Sequence, residues 1–481
     1  MGHPPDCSHR VPISSVLPEL RPSSDTITEG TMTDPRCKPP FVSVCIPVRN
    51  GESQLGHTLS NLLIHSTYPR ACWEVVLADH GSTDATPSII TDFQKRFPQV
   101  RSVRVPVSGT SRAHVRNRTI CESRGDLLVF IDHDVLVPEG FLWDHVAAHE
   151  RFPSSIVAGA IFNITKPADP DRPIELELDH VSASYTALCA NRRLSDDRLQ
   201  WRHIPKDEEL IDLRSVPAPF RFFWGGNLSA YRSDIDACGL FDETYRGWGM
   251  EDEDFAQQFR VGGRGLAFSR TAWGLHLTGA ADTWSRSSEW QVNFDTFFRK
   301  FPTREIESYS LHTAGLIPLG MGRLDGLLLA FKSIDIRPAL QSAAEHLGAP
   351  LGRRLCHFVV NRGMASMLQL TDALSPFGPP TEAARHDGRT HWWPLFGLKT
   401  PFADKEIGEV VLMGDLLAWL ERYTLTLVLA EAARVAQRAI ICCGADANSR
   451  AGGPRMRALR DVVSTINFGS LSWIGEGAGP S

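Results

Sequence analysis

Residues 247–260 read GWGMEDEDFAQQFR, four consecutive acids between a glycine-flanked tryptophan and a phenylalanine pair. Adjacent carboxylates repel one another, so the run needs a reason. Phe255 and Phe259 are four apart, the spacing that puts two side chains on one face of a helix. At about 100° per residue, Glu251 and Asp252 fall within roughly 60° of that face, while Glu253 and Asp254 turn towards solvent. A helix starting near Glu251 sets these acids at the positive end of its dipole. So two carboxylates are aimed inward at a helix mouth and two face water. Gly247 and Gly249 let the backbone approach a substrate closely and move as a loop.

A second acidic site, Asp132-His133-Asp134, stands directly behind the apolar run DLLVFI (126–131). Alternate residues of an extended segment share a side, so both aspartates can reach one cation while His133 points elsewhere. Oxygen ligands suit Mg2+ or Mn2+, cations that neutralise a diphosphate leaving group. His276, in WGLHLTG, would enter from a separate element and could complete the metal shell. Arg112 and Arg116 open a helical segment after RVPVSGTS, and arginine's planar donors suit a nucleotide base or phosphates. Trp201, Trp224 and Trp248 suggest an aromatic platform for a sugar ring.

Positioning these groups takes a frame. From Phe41 the chain alternates short apolar strands with helical segments: strands at 42–46, 73–79, 101–105 and 126–131, helices at 55–66, 86–97 and 111–123. That alternation predicts an α/β fold, a mostly parallel sheet with helices on both faces. Ligands of such sheets bind beyond the carboxyl ends of the strands. Those ends deliver Pro47, Arg49 and Asn50, then Asp79, Ser82 and Asp84, then Asp132 and Asp134. Such a carboxylate-rich edge fits a hard cation with a nucleotide. Residues 161–222 are irregular and polar and read as loops over the cleft, and 264–269 reads as a further strand.

The remainder divides by composition. Residues 1–40 hold eight prolines without periodicity and read as a disordered leader. Residues 41–304 read as the α/β domain, with 41–150 the nucleotide half and 151–304 the acceptor half. After 305 longer stretches such as GLLLAFKSI and EVVLMGDLLAWLERYTLTLVLAEAARVAQRAII predict a mainly helical C-terminal domain. The amphipathic part, 409–441, either packs within that domain or touches a membrane surface. The net charge of −6 over 481 residues argues against a general nucleic-acid binder. No apolar run approaches the ~18 residues needed to cross a bilayer, and no signal peptide is visible. Ten scattered cysteines lack metal-type spacing and read as reduced thiols, which points to the cytoplasm. Glycosylation sequons stand at Asn117, Asn163 and Asn227, two of them in cleft segments that a glycan would block.

Together, CIPVRNG…LADHGSTDAT…SRAHVRNR…FIDHDVLVP resembles the nucleotide-binding half of family-2 inverting glycosyltransferases with the GT-A fold. WGGNLSAYRSDIDACGLFDETYRGWGMEDEDFAQQFRVGGRG…LHLTG is similar to the acceptor half shared by β-1,4-galactosyltransferases and chondroitin-polymerase-type enzymes. The resemblance spans roughly 41–280 and implies transfer of a hexose or N-acetylhexosamine from a UDP-sugar to an acceptor hydroxyl, with Mn2+ or Mg2+. It places Pro47, Arg49 and Asp79 on the nucleoside, Arg112 near the uracil, and Ser82, Asp84, Asp132 and Gly226 on the nucleotide-sugar side. It makes Asp132 and Asp134 the Asp-x-Asp, with Asp134 and His276 as metal ligands. Trp224, Trp248 and Glu251 would hold the acceptor, and Asp252 would be the general base. Retaining relatives resemble Glu-Asn at 251–252, so Asp252 implies inversion. Two positions depart from the pattern: Met250 replaces a glycine, and His80 replaces a second aspartate. The implied acceptor is a glycan, lipid, peptide or small molecule. Two other readings stay open: a catalytically degenerate nucleotide-sugar or glycan-binding scaffold, and a haloacid-dehalogenase-type phosphatase, for which Leu136 stands where Thr or Val is expected.

Overall fold

The computed structural model describes residues 39–107, 111–164, 194–195, 208–216, 218–277, 288–313, 337–350, 352–357, 362–374, 390–393, 395, 397–418, 420, 422–443 and 453–474. Trp201 and the stretch GLLLAFKSI lie outside them.

Continuous apolar runs build the first sheet. β1 (Val42–Val48), β2 (Trp73–Asp79), β3 (Val100–Arg104) and β4 (Leu127–Ile131) pair in parallel in the order β3-β2-β1-β4. Helices α1 (Leu55–His65), α2 (Thr86–Arg96) and α3 (Arg112–Glu122) connect them. Both faces of β1, β2 and β4 are buried, as strands covered by helices on each side require. These seven elements follow the sequence reading to within a residue or two.

The second half extends the sheet. After the short β5 (Val135–Leu136) come α4 (Phe141–Arg151), β6 (Ser155–Ile164), β7 (Leu194–Ser195) and β8 (Leu210–Asp212). Then follow β9 (Asn227–Tyr231), α5 (Arg232–Cys238), α6 (Glu251–Val261) and β10 (Gly265–His276). β9 lies antiparallel between β4 and β6, and β10 runs parallel to β6 with a register shift between Ser269 and Gly274. The strand expected at 264–269 therefore continues to His276. α4 locks β9 by polar contacts: His145 bonds Ser229 Oγ at 2.8 Å and Asn227 Oδ1 at 3.0 Å, and His149 bonds Ser229 Oγ at 2.9 Å. Asn117 and Asn227 are buried and hydrogen-bonded, so neither sequon can carry a glycan in this fold.

The connection from α7 (Ser288–Lys300) to α8 (Arg304–Thr313) is three residues long, and the two helices pack on each other where the sequence reading placed a domain boundary. The C-terminal region has the expected helices, α9 (Arg337–His346), α10 (Arg362–Met367), α11 (Gly414–Leu417), α12 (Arg422–Val435) and α13 (Gly453–Val463). They alternate with a sheet that the reading of a mainly helical domain did not contain. Its strands are β11 (Arg354–Cys356), β12 (Asp372–Leu374), β13 (His391–Trp393), β14 (Ile407–Met413), β15 (Ala436–Cys442) and β16 (Leu471–Ile474). The stretch 409–441 is thus strand, two helices and strand, with Val410, Val411, Val428 and Leu429 fully buried, and it packs inside the protein. No described helix is long and apolar enough to cross a membrane. One apolar cluster joins α6, α7 and α8 to this second sheet.

Candidate active site

The sheet reverses its winding between β1 and β4, and the loops beyond their carboxyl ends form one edge of the site. Here short polar side chains bind loop to loop. Ser82 N–H donates to Asp79 Oδ1 at 2.9 Å, Asn50 N–H donates to Ser82 Oγ at 2.9 Å, and Thr83 N–H donates to Asn50 Oδ1 at 2.9 Å. Asp84 accepts from Glu52 N–H at 3.1 Å and Thr86 N–H at 3.0 Å, which hold its carboxyl below the ordinary range despite burial. Ser82 and Asp84 therefore spend their polar atoms fixing the 49–54 turn, while Arg49 and Arg112 stand exposed at its rim. His133 turns away from the acids, its ring lying against Gly51, where a Cβ would come within 2.6 Å.

Asp132, Asp134 and His276 converge, each offering one ligand atom, with all three atoms within 4.8 Å of one another. His276 Nε2 is 3.2 Å from Asp134 Oδ2. The three come from two places: Asp132 and Asp134 from the turn after β4, His276 from the end of β10, which pairs with β5 at Val135. Ligands on a hard divalent ion sit at about 2.0–2.6 Å from it, hence about 3–4 Å apart, so this trio fits one ion with little movement. Gly226 keeps the floor open, since a Cβ there would lie 2.9 Å from Asp132 Oδ2.

The acidic run starts α6, as its spacing predicts, but its surroundings differ from a half-solvated helix. Glu253 and Asp254 are buried along with Glu251. α7 covers the side that periodicity alone assigns to water. Asp254 accepts from Lys300 Nζ at 2.8 Å and Tyr245 Oη at 2.7 Å. Phe241 stacks on Phe255 at 3.9 Å between ring centroids, which presses the helix onto the sheet. Ahead of the helix, Gly247, Gly249 and Met250 all have positive φ (69°, 97° and 74°). Left-handed backbone is nearly free for glycine and costs a methionine on the order of 1 kcal/mol. The strained turn is held from α7: Asn293 Nδ2 donates to Arg246 O and Gly249 O, and Trp248 N–H donates to Glu289.

Arg116 links the two acidic groups. Sequence reasoning sent it towards a base or phosphates; instead it is buried among three carboxylates. Nη1 lies 3.2 Å from Glu251 Oε1 and 3.0 Å from Asp252 Oδ1, and Nη2 lies 3.5 Å from Asp132 Oδ1. One guanidinium thus spans the metal-side aspartate and the helix mouth. Room for it comes from Gly225, where a Cβ would sit 2.1 Å from Nη2. Gly225 N–H also donates to Asp252 Oδ2 at 2.7 Å. The other oxygen, Oδ1, has no hydrogen bond despite its nearness to Arg116. Burial pushes the Asp252 carboxyl up to about 7, Arg116 opposes this, and Glu251 adds to it. One cation for three acids leaves the cluster short of positive charge, and a proton on Asp252 relieves it. Burial and Asp252 likewise raise Glu253 well above its ordinary range. Arg116, Gly225, Asn293 and Lys300 were beyond reach of the sequence in these roles, because each acts through a partner on a distant element. Pro47, Trp224 and Trp248 are half-buried near the strand and helix ends that supply the site.

The sequence of this region matches two known families. Residues 43–230 match the model of glycosyl transferase family 2, and residues 211–273 match that of the N-terminal domain of galactosyltransferase. Both matched models describe glycosyl-transferring enzymes, which leaves the phosphatase reading without support. Among curated relatives, validoxylamine A glucosyltransferase of Streptomyces hygroscopicus subsp. limoneus is 26% identical over 418 residues, covering 80% of this chain and 87% of its own. Chondroitin synthase of Pasteurella multocida is 28% identical over 247 residues, 47% of this chain and 24% of its own. Two solved structures are more distant. Mannosyltransferase PcManGT from Pyrobaculum calidifontis in complex with GDP-Man and Mn2+ gives a TM-score of 0.39 at 19% identity, covering 62% of this chain and 76% of that one. S. aureus TarS in complex with UDP-GlcNAc gives 0.40 at 14% identity, covering 63% and 86%.

Proposed function

We propose that this glycosyltransferase moves a hexose or N-acetylhexosamine from a UDP-sugar to an acceptor hydroxyl with inversion. The observation that carries the reading is the Asp252 carboxyl: partly buried at a helix mouth, pushed up to about 7 by that burial, with Oδ2 fixed by Gly225 N–H and Oδ1 3.0 Å from Arg116 Nη1 without a hydrogen bond. A general base works best when its pKa lies near the operating pH. Asp252 Oδ1 takes the proton of the acceptor hydroxyl as that oxygen attacks the anomeric carbon from the face opposite the diphosphate. Glu251 and Trp248 orient the acceptor, and Arg116 keeps Glu251, Asp252 and Asp132 in a fixed relation. Asp132, Asp134 and His276 would hold Mn2+ or Mg2+, whose charge offsets that building on the departing diphosphate. Pro47, Arg49, Asp79 and Arg112 border the nucleoside, with Ser82 and Asp84 acting as positioning residues for its loop.

Among the acceptor classes, a small molecule is favoured, because the relative aligned over 80% of this chain is named for glucosyl transfer to validoxylamine A. The proposed division is a catalytic unit over 41–304 followed by a C-terminal unit with a role of its own. Testing requires purified protein, UDP-glucose, UDP-galactose and their N-acetylamino counterparts, with and without manganese, scored for UDP release. Manganese-dependent release from one donor supports the reading. Binding of a UDP-sugar without turnover, with or without acceptors, favours the scaffold reading instead.

A further inference from the structure

The first sheet has a second end. Beyond the amino ends of its parallel strands, the surface folds in around a cleft of about 530 Å3. Small-molecule sites typically enclose about 300–1,000 Å3. Phe41 precedes β1, Arg70 leads into β2, Arg96 into β3 and Arg124 into β4, and all four line the cleft. β2 is seven residues long, so roughly 20 Å of strand separates this cleft from Asp79 at the other end. It is a different place from the candidate active site.

Four arginines, Arg70, Arg96, Arg101 and Arg124, line the cleft against one carboxylate, Glu74. Glu74 is buried and already engaged. One of its oxygens accepts from Ser43 Oγ at 2.9 Å and from Arg124 N–H at 2.7 Å, and the other lies 3.4 Å from Arg101 Nη1. Arg101 also donates to the Glu122 carbonyl, so its guanidinium is fixed in place. Arg96 is held over the rings of Phe93 and Phe97, 5.2 and 5.4 Å from their centroids. Such stacking orients a guanidinium without neutralising it. Among the described residues only Arg101 of the four is ion-paired, with Glu74 and Glu122. Trp73 lines the same cleft, and its buried indole N–H has no hydrogen-bond partner among the described residues.

Three unpaired guanidiniums in one hollow repel one another and draw anions in, on a chain whose net charge is −6. Arginine's planar fork matches phosphate oxygens two at a time. One phosphate group carries about −1.5 to −2 charges at pH 7, so three free arginines call for two such groups. A concave wall receives a small molecule, whereas a flat lipid surface would meet only its rim. We propose that this cleft binds a soluble small molecule carrying two phosphate groups, with Arg70, Arg96 and Arg124 as its partners and Glu74 anchoring Arg101 and the main chain of Arg124. Because the one lining carboxylate is taken, binding here needs no divalent cation, unlike binding at Asp132, Asp134 and His276.

Isothermal titration calorimetry of the full chain with pyrophosphate, in the presence of EDTA, tests this. Expected is one equivalent bound with a Kd of about 1 mM or tighter, retained in the Asp134→Ala variant and weakened about tenfold or more by Arg70→Gln and by Arg124→Gln. Both arginines are exposed, and unchanged melting temperatures of the two variants certify their folds. Sulfate at equal ionic strength should bind at least about tenfold more weakly. Binding that requires manganese or disappears in Asp134→Ala would overturn the proposal, as would equal affinity for sulfate or indifference to both arginine substitutions. Silence at millimolar pyrophosphate would overturn it too, including the case in which the protein instead sediments with phosphatidylglycerol vesicles. None of these outcomes bears on sugar transfer at the first site.

Discussion

Asp252→Asn is the perturbation whose consequences the structure fixes most fully. Asparagine keeps the shape and can still accept from Gly225 N–H, which now approaches Asp252 Oδ2 at 2.7 Å. It cannot take a proton. Loss of a general base lowers kcat by roughly 10²–10⁴, or about 3–5 kcal/mol of barrier. In the wild type the carboxyl titrates near 7, so kcat should rise with pH up to that region and then level off. Stability should run the other way. Burial raises the folded-state pKa from 3.8 to about 7, so between those values the folded protein binds the extra proton. The stabilisation is complete below the unfolded value and is lost as pH rises through about 7, a change on the order of 4 kcal/mol. Asp252→Asn should therefore be nearly inactive, yet lose less stability than wild type on going from about pH 5 to about pH 8. Coupled UDP-release assays and urea titrations across that range measure both effects. A variant with activity within about threefold of wild type, or one whose residual activity keeps the same rise with pH, would refute the assignment of Asp252 as base.

Arg116→Met removes the one guanidinium that, among the described residues, bridges Asp132, Glu251 and Asp252, and should cost about 3–5 kcal/mol in denaturant titration. In whatever fraction folds, the acid limb of the activity profile should move to higher pH, whereas Arg116→Lys should soften both effects. Asp134→Ala should abolish the manganese-dependent part of UDP binding, read as loss of the thermal shift that manganese plus UDP gives the wild type. His145 and His149 are buried, and burial lowers their pKa to about 4 and about 3. Both therefore stabilise the fold above their unfolded value of 6.5, and that contribution is lost as pH falls, by about 4 kcal/mol in total near pH 5. Chemical denaturation of a His149→Gln variant should show a shallower acid dependence than the wild type.

The first sheet was legible because its strands are unbroken apolar runs between clear turn residues, so type and order followed from pattern alone. The start of α6 at Glu251 followed from the Phe255–Phe259 spacing for the same reason. What periodicity could not supply was the environment of the helix. Asp254 reads as a solvent-facing acid until Lys300 and Tyr245 are brought to it, and that depends on α7 folding back over the glycine-bounded turn. Arg116 reads as a ligand-facing helix residue until its neighbours turn out to be three acids from two distant segments, the turn after β4 and the start of α6. The C-terminal sheet was missed because β14 and β15 are short buried runs flanking a true helix, and a continuous apolar run does not reveal its period. Its other strands are three or four residues long, too short to show alternation. All three members of the metal trio were named from the sequence, Asp132 and Asp134 because they share a strand end; what the sequence did not show is the pairing of β10 with β5 that brings His276 to them.

The most direct test of the central claim is the configuration of the sugar that first leaves the enzyme. Purified protein would be incubated with an α-linked UDP-hexose and manganese, and the released sugar or glycoside followed by proton NMR before mutarotation. Inverting transfer with Asp252 as base predicts the β-anomer first, in amounts that vanish when the cation is chelated. The α-anomer first, or release that continues unchanged without the cation, would contradict it.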